Sequence, residues 1–195
     1  MDMRSRVKRF GDQFLVGMGL LQVTPWAFEK ALSGLCQGVA FVKGERDKLG
    51  LFTVDVYWRY TNSPRNAPWA MDCHRRIGDF SSGGDEWYSI SDDQSYATVA
   101  DALSRSVEPF FRTHESIEAV IRSFEGGQYT EQVLFGPDAG WRQFNIGFCY
   151  LSVGNKEKAL ECLKAVVEKH SKEQYDWVQE RKIIAVQGIE RAMCL

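Results

Sequence analysis

Histidine, cysteine and carboxylate side chains are where chemistry would have to start in this chain. Its three histidines, His74, His114 and His170, lie far apart and share no ligand spacing, so no metal site is expected. Cys73 and His74 are adjacent, as a thiol beside a base would be. The surrounding pattern is that of a strand, however. Neighbours on a strand point to opposite faces, so these two cannot serve each other, and Cys73 reads as a small core residue. The five cysteines (36, 73, 149, 162 and 194) are odd in number and contain no CxxC pair. A disulfide framework or structural zinc is therefore not expected, and a reducing, cytoplasmic setting is. The chain has no phosphate-binding P-loop, no GxGxxG after a strand, no GxSxG and no HExxH. Gly83-Gly84-Asp85 reads as a turn, because no Lys-Ser or Lys-Thr follows it. No cofactor is expected.

What remains is a surface. Leu51–Tyr60 alternates cleanly: Phe52, Val54, Val56, Trp58 and Tyr60 on one side, Thr53, Asp55, Tyr57 and Arg59 on the other. A period of two with β-branched and aromatic residues marks a strand with one apolar and one polar face. Ala70–Ile77 is a second strand, with Asp72, His74 and Arg76 on one face. If the two pair, Tyr57 and Arg59 come near His74 and Arg76, bordered by the acidic residues Asp85, Glu86, Asp92 and Asp93. The plainer reading is a solvated sheet face with weak cross-strand ion pairs. The functional reading is a partner-binding face, with Tyr and Arg as anchors and the carboxylates steering a basic partner.

These residues need a scaffold. Residues 2–16 carry a helical stripe of Val7, Phe10, Phe14 and Leu15, weakened at Gly11. Trp26–Leu32 and Leu35–Val42 read as strands joined at Ser33-Gly34, a tight hairpin turn. A charged turn at Lys43–Lys48 leads into the central strand. Asn62–Pro68, with its two prolines, and Asp79–Gly84 are loops, and Trp87–Ile90 is a short last strand. After Asp92-Asp93 the period becomes helical. Val99, Ala102, Leu103, Val107 and Phe110 form a stripe, with Pro109 ending or bending the helix. Thr113 is placed to cap the next helix, which carries Ile117, Val120, Ile121 and Phe124 and stops at Gly126-Gly127. Gly136-Pro137 is a further break. Three helices follow, at about 140–152, 156–170 and 173–192. Strands first and helices afterwards predict an α+β protein. Its antiparallel sheet has four to five strands with helices packed on one face, and a helical hairpin and capping helix end the chain. At 195 residues a single domain is expected, with a sheet-containing part to about 127 and a helical part from about 138.

Net charge is −2, which gives no reason to expect a nucleic-acid partner. The charge is uneven. Arg4, Arg6, Lys8 and Arg9 make the start basic, while Asp85, Glu86, Asp92, Asp93 and Asp101 make the middle acidic. The apolar run Phe14–Val23 is broken and short for a membrane span, so no membrane is expected.

Two resemblances follow. Leu51-Phe52-Thr53-Val54-Asp55-Val56, the Cys-x-x-Arg-Ile-Gly run Cys73–Gly78 and Trp87-Tyr88 before a helix ending near Phe110-Phe111 resemble the bacterial domain-of-unknown-function family 4304, over residues 18–125. That resemblance implies a small α+β domain and no established activity, so it carries over no site. Asn145-Ile146-Gly147-x-x-Tyr150, Gly154, Ala159 and Leu163 sit at the offsets of a tetratricopeptide repeat. Trp141 falls two residues early for that pattern and Ser171 replaces its proline. Gly147 would let two helices approach, Ala159 would pack against it, and Tyr150 and Leu163 would fill the seam. With no second copy, an ordinary helical hairpin is the alternative, and a single repeat forms no solenoid groove.

The function expected is a non-enzymatic protein-binding protein, in its specific form a bacterial immunity or antitoxin-type protein that occludes a basic toxin domain. The alternative is a small-molecule enzyme using His74 and a nearby carboxylate as acid and base. A closed pocket around His74 would favour the enzyme, and a flat face the binder.

Overall fold

A computed structural model describes residues 2–60, 73–80, 86–127, 139–171 and 175–195. The expected loop at 62–68, residues 70–72 of the second strand, the Gly83-Gly84-Asp85 turn, the Gly136-Pro137 break and residues 173–174 of the last helix lie outside them, as do the side chains of Cys73 and Trp141. The chain divides into two compact units: Met1–Leu32, Cys36–Trp58 and His74–His114 in one, Ser33–Leu35, Arg59–Cys73 and Glu115–Leu195 in the other.

The first unit holds most of an antiparallel sheet of six strands. Helix α1 (Met3–Gln13) precedes it, its first turn capped by Asp2, whose carboxylate accepts from the Ser5 N–H at 2.8 Å. Gly11, a weak point for helix propensity, is where α1 rests on the sheet: a Cβ there would lie 2.1 Å from the Phe28 ring. Strand β1 (Leu21–Thr24) follows a short 3-10 turn at Leu15–Met18. β2 (Ala27–Ala31) pairs antiparallel with it and with β3 (Leu35–Lys43). The β2–β3 hairpin turns at Gly34, φ +82°, a left-handed conformation that glycine adopts without strain. β4 runs Leu51–Tyr60, as the alternation predicts, and is flanked by β3 and β5 (Cys73–Arg76). The two-residue strand β6 (Tyr88–Ser89) pairs with the start of β4, Leu51↔Ser89 and Phe52↔Tyr88. β1 is the strand that periodicity does not reveal. Its four residues, Leu-Gln-Val-Thr, do alternate, but two repeats are too short a pattern to stand out, and they overlap the apolar run Phe14–Val23.

The apolar face of β4 is core, with Phe52, Val54, Val56, Trp58 and Tyr60 all buried. Phe52 stacks on Tyr96 with centroids 4.8 Å apart, and Phe41 bridges Phe10 and Phe52. Trp58 meets Phe110 and Phe111 edge-on at 5.2 and 5.6 Å. The covering helices are α1, α2 (Asp93–Ala102) and α3 (Glu108–Thr113). Between α2 and α3 the backbone widens into a π-turn at Leu103–Val107. Pro109, which has no N–H to return to the preceding turn, follows one residue later, and the helical backbone continues past it. Gln37 closes α3: its side-chain amide, buried, donates to the carbonyls of Phe111 at 2.7 Å and His114 at 3.0 Å.

In the second unit α4 (Ile117–Glu125) is capped by Ser116, whose hydroxyl accepts from the Ala119 N–H at 3.2 Å. Thr113, expected in that role, instead donates to the Pro109 carbonyl at 2.9 Å, because it still belongs to the last turn of α3. Helices α5 (Ala139–Ser152), α6 (Lys156–Lys169) and α7 (Asp176–Met193) follow near the expected bounds. Gly154, φ +73°, makes the α5–α6 turn, and Asn155 caps α6 by accepting from the Lys158 N–H at 3.2 Å. Leu163 lies between two glycines on different helices. A Cβ on Gly147 of α5 would come within 2.9 Å of it, and one on Gly188 of α7 within 2.8 Å. Gly147 thus marks a close crossing, with Leu163 and Cys162 supplying the atoms nearest to it. Tyr150 and Lys158 both donate to the Glu125 carboxylate, tying α4 to the hairpin.

Candidate functional site

The polar face of β4 is not an open surface. Thr53 and Asp55 are buried, and Tyr57 is 3 % exposed. Two neighbours explain Tyr57. Its ring lies over Gly38 of β3, where a Cβ would come within 2.1 Å, and its hydroxyl donates to Glu29 of β2 at 2.9 Å. A glycine on the adjacent strand gives the ring a seat. Asp55 accepts from Arg76 at 2.8 Å, so β4 and β5 do bring these two side chains together. The Arg76 guanidinium also lies over the Trp87 ring, 5.7 Å from its centroid, with Lys48 at 5.9 Å from the same ring. Arg59 is half-buried at the end of β4 and belongs to the second unit. His74 is exposed and lines neither of the two clefts described below.

Among the carboxylates expected to steer a partner, Glu86, Asp92 and Asp93 have partners within the chain. Asp92 caps α2, accepting from the Gln94 and Ser95 N–H groups at 3.1 and 3.0 Å and from the Ser95 hydroxyl at 2.9 Å. Those bonds hold its carboxyl below the ordinary range, that of the Ser95 side chain most. Asp93 pairs with Arg6 and, at 3.2 Å, with Arg9. The basic start and the acidic middle of the sequence therefore answer each other. Glu86 accepts from the Tyr88 hydroxyl, and burial, followed by that bond, raises the phenol's pKa. Asp85 lies outside the described residues. The other two histidines are internal. His114 Nδ1 lies 2.9 Å from the Phe110 carbonyl, which can only accept, so Nδ1 carries the proton. Burial outweighs that bond and depresses the imidazole's pKa. His170 Nε2 lies 3.4 Å from Arg181 in the second unit.

The open chemistry of the first unit gathers around α1. On one side, Arg4, Ser5 and Lys8 face Gln22, Val23, Thr24 and Pro25 across a cleft of ≈ 440 Å³. The far wall is β1, which stands at the end of the strand order and has all four residues exposed. Leu21 is 65 % exposed and Val23 52 %, with Val16 and Trp26 also exposed nearby. The pairing with β2 slips between Gln22 and Thr24, leaving Val23 as the extra residue of a bulge. Lys8 is tied to Asp12 at 2.7 Å on the helix surface. On the other side of α1, Arg6, Arg9, Phe10, Gln13 and Phe14 face Asp93, Tyr96, Ala97 and Ala100 of α2 across a second cleft of ≈ 320 Å³. The sequence signals half of this: the basic residues at the start were visible, but not the strand they lie beside.

Among the described residues no three His, Cys, Asp or Glu side chains gather as a metal site would need. No described helix is long and apolar enough to cross a membrane. Fold and surface together define an α+β protein with an exposed edge strand beside a basic helix. Neither a protein-family model, nor a curated protein, nor a solved structure matches the chain.

Proposed function

We propose that this is a protein-binding protein whose contact surface is the β1 edge with the α1 side of its cleft. The observation that carries the reading is a sheet edge left with apolar side chains outward, Leu21 and Val23 above all. Edge strands present unpaired N–H and C=O groups, and proteins usually blunt them with charge or cover them. An uncovered edge with apolar residues suits strand addition: the backbone supplies hydrogen bonds and alternate side chains supply specificity.

The partner is an extended segment bearing carboxylates. The charged residues lining the cleft are Arg4 and Lys8. A second copy of this chain would set those cations against their own counterparts, which disfavours self-pairing. Occlusion of a toxin domain, as by an immunity or antitoxin-type protein, needs only such a surface, and is the specific form of the proposal. The test is selection of random peptides displayed on phage against the intact protein. Selected sequences should combine alternating apolar residues with Asp or Glu, and should lose binding to the Leu21→Lys/Val23→Lys variant. Equal binding to that variant, folded, would move the contact surface elsewhere.

A further inference from the structure

Beyond protein binding, the geometry points to a small-molecule site: we infer that the α1–α2 cleft binds a monocarboxylate carried on a short apolar body. Tyr96 is 8 % exposed, and among the described residues no protein group hydrogen-bonds its buried hydroxyl. Buried Arg6 Nε is in the same condition. The two are neighbours, the Arg6 guanidinium lying over the Tyr96 ring at 5.9 Å from its centroid. Both side chains line the cleft, together with Arg9 and Asp93. Two adjacent buried donors without acceptors require an explanation, and an entering oxygen ligand supplies one.

The rest of the cleft restricts what that ligand is. Arg6 and Arg9 meet a single Asp93 oxygen, and Asp92 lies within reach of the Arg6 charge, so two guanidinium groups face two carboxylates. A singly charged carboxylate can take the place of Asp93 on one arginine, whereas a dianion such as a phosphate monoester brings more negative charge than the two arginines balance. The Asp93 side chain is 75 % exposed and can yield one arginine to a second carboxylate without being dragged from the core. Opposite the charges, Phe10 and Phe14 stand with centroids 5.4 Å apart, and Ala97 and Ala100 keep the α2 wall low. A body of aromatic-ring size fits a cleft of ≈ 320 Å³, at the small end of ligand sites.

Calorimetric titration of the intact protein with 3-phenylpropionate tests this, with 3-phenylpropanol and inorganic phosphate as comparison probes. Saturable binding of the carboxylate is expected, with the alcohol and phosphate each at least about tenfold weaker, since a hydrogen-bonded charge is lost in one and the apolar body in the other. Tyr96→Phe should weaken binding about fivefold. Ala97→Phe, at an exposed position where the fold is not at stake, should plug the cleft and abolish binding. Absence of saturable binding, equal binding of the alcohol, or binding unchanged in Ala97→Phe with its melting temperature preserved would each overturn the assignment.

Discussion

Strands β4 and β1 belong to one sheet and break the inside-outside rule in opposite directions. β4 buries Thr53, Asp55 and Tyr57 along with its apolar face. β1 exposes Leu21 and Val23. The difference is position. A central strand has neighbours on both edges, and here those neighbours supply a glycine seat and an arginine for its polar side chains. An end strand has a neighbour on one edge, and what it exposes is left for something else to meet. Period tells which side chains share a face; it does not tell whether that face is covered.

The contrast can be broken most forcefully from the inside. Trp58→Ala removes an indole packed against Phe80, Phe110 and Phe111 and should cost about 3–5 kcal/mol. A denaturation midpoint that hardly moves would mean β4 is phased the other way. Asp55→Asn tests whether the polar face is truly internal. Removing the buried charge that faces Arg76 should cost about 1–3 kcal/mol by chemical denaturation, whereas a solvated pair would lose only a few tenths. Tyr57→Phe keeps the ring over Gly38 and deletes the bond to Glu29, for about 1 kcal/mol. An unchanged stability would make that bond incidental to the ring's burial. The smallest effect is expected at the edge. Leu21→Lys with Val23→Lys should leave stability within about 0.5 kcal/mol, because neither side chain is in the core. A large loss there would turn β1 into an ordinary structural strand.

Much of this architecture was legible in the sequence. The limits of β4 coincide with its alternation, and the last three helices follow their 3.6-residue stripes to within a few residues. The change to a helical period after Asp92-Asp93 coincides with the start of α2, which Asp92 caps. β1 escaped because its alternation lasts only four residues and begins inside the apolar run Phe14–Val23. The closure of the polar face escaped because it depends on Gly38 and Glu29, which are assigned to Tyr57 only once the strands are ordered. The Arg6–Asp93 pair spans 87 positions, and no local pattern joins its members, so nothing in the sequence reveals that Asp93 already meets a guanidinium. Gly147 was expected at a close helix crossing, and Leu163, on the same face of α6 as Ala159, is the side chain that reaches both Gly147 and Gly188.

The central claim is that contact with a partner falls on β1 and not on the polar face of β4. Residue-resolved amide hydrogen exchange, measured with and without a selected acidic peptide, tests it most directly. The account predicts that amides of Leu21–Thr24 slow markedly when the peptide is present, while those of β4 exchange slowly in both states and do not change. Protection that appears at another surface, with β1 exchanging at its free rate, would contradict it.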